Sequence, residues 1–208
     1  MKITEEKRAN LTSPRQVQQL MAKHKVAPKK GLGQNFLTDA NILKKIVATA
    51  QLSPDDLVLE IGPGVGALTV ALAEAAGAVV AVETDRSLAP LLTEVLAELG
   101  NVRLVYGNIL ELNPAGLFPL DGTAPKVVAN LPYYITTPII FHLLESAVQW
   151  RLLVFLVQKE VADRMVSPPG NKVYGALSVM IQSSCHVELV GVVPPTVFVP
   201  RPKVHSAI

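Results

Sequence analysis

The chain has 208 residues, half of them hydrophobic and 17% charged, which suits a single globular domain burying roughly two thirds of its unfolded surface and excludes a disordered chain. Its longest apolar runs, such as 152–157, are too short to cross a bilayer, and the charged start lacks the apolar core of a secretory signal. With a single cysteine, Cys185, no internal disulfide can form, so a cytoplasmic protein is expected.

The net charge of +2 conceals an imbalance, because residues 1–50 hold ten Lys/Arg against three acids and the rest hold nine against fourteen. A basic N-terminal extension over 1–28 is therefore expected, either facing a polyanion or forming a solvated tail. After it, short Val/Leu/Ile-rich runs at 57–61, 78–83, 102–106, 127–130 and 152–157 read as buried parallel strands. Between them, 67–75, 87–99, 138–147 and 159–166 carry apolar residues at helical spacing. Thr137-Pro138 reads as a helix start, a capping hydroxyl followed by proline in the first turn. Two later strands are expected, at 186–193 and from Val204 onward. This alternation predicts a Rossmann-like, doubly wound α/β sheet over 29–208, with helices on both faces and a ligand beyond the carboxyl ends of the strands.

The first strand runs into Glu60-Ile61-Gly62-Pro63-Gly64-Val65-Gly66. Glycines such as Gly62 and Gly64 allow a tight turn and close approach of a ligand. Glu83 ends the second strand, where a carboxylate can accept from both hydroxyls of a ribose. These features leave a dinucleotide enzyme open. The G-x-G-x-G spacing and the preceding Glu60 instead favour the methyltransferase form of the loop. Asn108, after the third strand, can contact the amino group of a bound adenine or simply close a turn.

Asn130-Leu131-Pro132-Tyr133 follows the fourth strand and so enters the same crevice. An adenine N6 amine is a poor nucleophile because its lone pair is delocalised into the ring. The Asn130 side-chain carbonyl and the Leu131 backbone carbonyl can each accept one N6 hydrogen and so orient that lone pair. Pro132 fixes its own φ, and Tyr133 offers a flat face to an unstacked base. His24, His142, His186 and His205 show no metal-ligand spacing, and no serine-nucleophile elbow or P-loop is present. Lys29, Lys30, Arg201 and Lys203 flank the crevice in sequence and can contact phosphates, or serve solubility.

These stretches, with Lys30-Gly31-Leu32-Gly33-Gln34-Asn35-Phe36-Leu37, residues 158–162 and residues 194–204, resemble the ribosomal RNA adenine dimethyltransferases. The likeness runs from Lys29 to Ile208, and it is to the branch that dimethylates two adjacent adenosines near the 3′ end of small-subunit ribosomal RNA. It implies S-adenosylmethionine as cofactor and the RNA of an immature small subunit as partner, in a monomer without membrane association. It further implies that Asn35 and Leu37 close over the cofactor, and that Gly62 and Glu83 hold its methionyl and ribose parts. Asn108 would meet the adenine moiety, where the family usually has aspartate. Asn130 would touch both cofactor and target base, and Phe198 would sandwich that base from the face opposite Tyr133. Family members continue into a small helical C-terminal domain, so a C-terminally truncated chain is expected. Two other readings are a large-subunit dimethyltransferase of the macrolide-resistance type, which tends to have isoleucine where Leu131 stands, and an RNA-binding assembly factor without catalysis.

Overall fold

The computed structural model describes residues 11–118 and 123–208. Seven strands form the central sheet: β2 (Leu57–Ile61), β3 (Ala78–Glu83), β4 (Val102–Tyr106), β5 (Lys126–Asn130), β6 (Leu152–Gln158), β7 (Val192–Val193) and β9 (Ser206–Ala207). Their order is β4-β3-β2-β5-β6-β9-β7. The first five are parallel, and β9 runs antiparallel to both β6 and β7. Beside the sheet, β1 (Phe36–Leu37) pairs antiparallel with β8 (Phe198–Val199).

Strand residues alternate between two apolar layers, as a period of two requires. Val58, Val128, Val154 and Leu156 join one layer with Val17 and Met21 of α1 (Pro14–Lys23), Ile46 of α2 (Ala40–Thr49), Leu72 of α3 (Ala67–Ala73) and Leu91 of α4 (Ala89–Leu96). Leu59, Val127, Phe155 and Val157 join the other with Ile139 and Leu143 of α5 (Thr136–Leu144), Ala162 of α6 (Lys159–Val166) and Ile181 of α7 (Ala176–Ser184). The predicted doubly wound sheet is thus formed. The chain order reverses between β2 and β5, the place where such sheets open a crevice at their carboxyl ends. No helix among the described residues is long and apolar enough to cross a membrane.

Several local expectations change. Within the predicted extension, α1 packs through fully buried Val17 onto the body, and Lys23 Nζ meets Glu94 on α4 at 2.6 Å. Residues 1–10 lie outside the described part. Thr137 does not cap α5: the helix begins one residue earlier, where Thr136 Oγ1 donates to the Pro132 carbonyl at 2.9 Å, and Pro138 falls in its first turn. The strand expected over 186–193 shrinks to Val192–Val193, because two-residue β9 gives it only that length of partner. Helices α1, α2 and α7 were not expected. Asp39 sets the start of α2, one carboxylate oxygen accepting from the N–H groups of Asn41 and Ile42, both at 2.9 Å.

Candidate active site

A cleft of about 350 Å³ opens at the carboxyl ends of β2, β3 and β5. Its floor is the turn after β2. Gly64 has φ +58°, and a Cβ there would lie 2.7 Å from Cδ1 of Phe36, so the turn admits no side chain. Gly62, with φ +72°, donates its N–H to Val82 at 2.9 Å and faces the Pro132 ring. Glu83, 5% exposed, accepts from Gly64 N at 3.2 Å and Asp85 N at 2.7 Å, leaving lone pairs for a further donor. Burial holds its carboxyl above the ordinary value.

One position before the cleft wall, Glu60 is 1% exposed and its Oε2 has no hydrogen-bond partner among the described residues. Burial, with a further push from nearby Glu83 and partial relief from Thr69, raises its pKa to about 8. The glycine turn, the accepting Glu83 carboxylate and the apolar walls from Leu37, Val82 and Ile109 together fit an adenosyl group carrying a methionyl chain.

On the other side stands the loop after β5. Leu131 N–H donates to the Leu156 carbonyl at 3.0 Å, and its side chain is buried in the core, which fixes the loop to the sheet. No donor among the described residues meets the Leu131 carbonyl. Asn130 directs its amide nitrogen at the Asn35 carbonyl, 3.0 Å away. Since a carbonyl can only accept, this orients the Asn130 amide and leaves Oδ1 as its acceptor, with no donor on it. Tyr133 is half-buried, and its hydroxyl shares a 2.5 Å bond with Ser206 Oγ; burial raises its pKa, so it stays a neutral phenol.

The cleft brings together Asn35, Leu37, Gly62, Gly64, Glu83 and Asn108, along with the 130–133 loop. Asn108 also closes its own turn, as its Oδ1 accepts from Leu110 N at 3.1 Å while its amide donates to Glu111. Phe198 is not brought in. It is 2% exposed and packs in the core where β8 pairs with β1, so no base can reach its ring in this arrangement. Lys29 is already paired, with Asp85 at 2.6 Å, which weakens its candidacy for a phosphate. Lys30, Arg201 and Lys203 are exposed and lie outside the cleft wall. Sequence reasoning gave no individual role to Tyr134 or to Gln34, which line the cleft, nor to Asp85, which Gln34 meets. Tyr134 is 53% exposed at the cleft rim, and its repeat of the tyrosine at 133 was the only sequence signal for it.

A parallel sheet with an antiparallel far edge, a G-x-G-x-G turn and an acid ending the next strand define a class I, S-adenosylmethionine-dependent methyltransferase. The family model described as ribosomal RNA adenine dimethylase matches residues 25–208, and the chain belongs to that family. Ribosomal RNA small subunit methyltransferase A of Ligilactobacillus salivarius is 48% identical over 201 residues, covering 95% of this chain and 68% of that protein. Among solved structures, a dimethyladenosine transferase from Plasmodium falciparum is 32% identical with a TM-score of 0.72, over 82% of this chain and 60% of that one. The 23S rRNA methyltransferase ErmE is 34% identical with a TM-score of 0.72, over 83% of this chain and 67% of its own.

Proposed function

We propose that this chain transfers methyl groups to N6 of two adjacent adenosines near the 3′ end of small-subunit ribosomal RNA, in an immature particle, as a cytoplasmic monomer. The observation that carries this reading is the Asn130 amide, anchored by nitrogen to Asn35 with its oxygen unengaged beside the unengaged Leu131 carbonyl. Two acceptors at the end of one strand suit the two hydrogens of an exocyclic amine. By accepting both, they localise the nitrogen lone pair away from the ring and aim it.

S-adenosylmethionine, when bound, supplies a methyl group already activated on a sulfonium. The residues that would hold it are Gly62 and Gly64 through their main chain, Glu83 at the ribose, Asn108 and Ile109 beside the adenine, and Asn35 and Leu37 from above. Alignment and electrostatics then carry the rate without a strong general base. Tyr133 and the rim residue Tyr134 offer aromatic faces to unstacked bases. Lys30, Arg201 and Lys203 are solvent-facing cations available to phosphates.

Relatives named small subunit methyltransferase A, 45–48% identical, support the small-subunit substrate. The likeness to ErmE favours the second reading, a single adenine of large-subunit RNA, against which Leu131 speaks. The deciding experiment incubates purified protein and labelled S-adenosylmethionine with immature small subunits and with large-subunit RNA, then maps dimethyladenosine by mass spectrometry. Two adjacent sites in small-subunit RNA are expected. Labelling confined to large-subunit RNA, or none, would overturn the assignment.

A further inference from the structure

Residues 29–37 form a strap over the cleft. Leu32 to Leu37 line it from above, and the strap's far end is fixed where β1 pairs with β8. Its near end is held by one side chain, Asp85, whose carboxylate is 1% exposed. One oxygen accepts from Lys29 Nζ at 2.6 Å and from Ser87 N and Oγ at 3.0 and 2.6 Å; the other accepts from Gln34 Nε2 at 2.9 Å. The strap is braced internally as well, Lys29 N donating to Gln34 Oε1 at 2.7 Å and Asn35 Nδ2 to the Gly33 carbonyl at 3.0 Å.

Two features give this contact more than a packing role. The Asp85 N–H donates to Glu83 Oε1 at 2.7 Å, so the strap's anchor and the ribose-side carboxylate share a two-residue corner. On the opposite wall, the residue after Gln34 supplies the carbonyl that orients the Asn130 amide. Three hydrogen bonds, joined through the Asp85 residue itself and the Gln34–Asn35 peptide link, therefore connect Glu83 to Asn130 and span both walls.

We propose that Asp85 is a positioning residue that clamps the 29–37 strap and, through the Asn35 carbonyl, holds the Asn130 amide in the orientation that the reaction uses. The second half rests on the role given to Asn130 above. Burial alone would raise the Asp85 pKa, but Lys29, Ser87 and Gln34 together bring it to about 2, so the clamp is charged at every ordinary pH.

Hydrogen exchange of the 29–37 amides, calorimetric titration with S-adenosylmethionine and turnover at saturating donor test this together. Asp85→Asn is expected to speed exchange in 29–37 about tenfold, weaken donor binding about tenfold and lower kcat by a similar factor, with peptides from β2 and β5 unchanged. Because Asp85 also braces its own turn, a second variant separates the roles. Lys29→Met with Gln34→Glu removes the strap-side partners and leaves Ser87 in place. It is expected to reproduce all three effects. If only Asp85→Asn loosens the strap, or if exchange in 29–37 stays at the wild-type rate in both, the proposal is overturned. Wild-type protein inactive on small-subunit RNA would count against the reaction instead, while exchange and donor binding would still decide the clamp.

Discussion

The two ends of the sheet treat buried charge in opposite ways. At the amino end, Lys126 opens β5 and Asp56 precedes β2, with their side chains 4% and 2% exposed. Lys126 Nζ donates to the carbonyls of Ala50 and Gln51 and to Asp56 Oδ2 at 3.1, 2.7 and 3.0 Å, a full set for its three hydrogens. Burial would raise the Asp56 pKa, but Lys126 and Ser53 bring it below its ordinary value. At the carboxyl end, Glu60 and Glu83 are buried with no ion-pair partner among the described residues, and both have raised pKa values. Asp56 shares its buried setting with a cation whereas Glu60 and Glu83 do not, and that difference sets the opposite directions of their shifts.

Breaking the amino end should give the largest effect on stability. Lys126→Met removes the buried cation from Asp56, leaving it Ser53 and the exposed Arg151 at 3.9 Å, and should cost about 3 kcal/mol in chemical denaturation, with methyl transfer per folded molecule retained. The contribution of Asp56 is present above its ordinary value of 3.8 and lost as pH falls below it, so acid should narrow the gap between variant and wild type. A gap that widens on acidification would contradict the pairing.

At the carboxyl end the cost should fall on rate. Asn130→Ala should lower methyl transfer at least about a hundredfold, roughly 2.7 kcal/mol, while thermal stability and donor affinity change little. A near-normal turnover number would sink the role given to this residue.

Glu60 sharpens the contrast through pH. Its folded pKa, about 8, lies above its ordinary 4.5, so the folded state holds the extra proton and stability declines as pH rises from about 4.5 to 8. Glu60→Gln should flatten that decline in a series of melting curves. At pH 8 its melting temperature should exceed that of the wild type by about 2–4 °C for each kcal/mol relieved. Parallel curves for the two proteins would mean that Glu60 ionises freely.

The smallest effect is expected outside both ends. Lys30 is exposed, and Lys30→Ala should weaken RNA binding only modestly and lower the salt slope by about one ion, read from filter binding across a salt series.

Much of this was legible in the residues. Strands 57–61 and 78–83 are continuous aliphatic runs because parallel strands are covered on both faces, and their observed limits coincide with the reading. The glycine turn and the 130–133 loop carry their chemistry in residue types, so the cleft's two walls could be named. What pairs across long separations could not. Asp85 meets Gln34 and Lys29 over 51 and 56 positions, and no local pattern announces such a contact. The setting of Phe198 is equally long-range, since it lies 2% exposed where β8 pairs with β1, opposite Leu37. Polar α1 went unread because its few apolar residues matter only once the body offers a groove for Val17 and Met21.

The bond between Tyr133 and Ser206 ties the loop after β5 to the far edge of the sheet. Ser206 lies on β9, flanked by β6 and β7 at the far edge of the sheet. A displacement of that edge would reach the ring of Tyr133, on the wall of the cleft, through one hydroxyl pair, without crossing the glycine turn or Glu83.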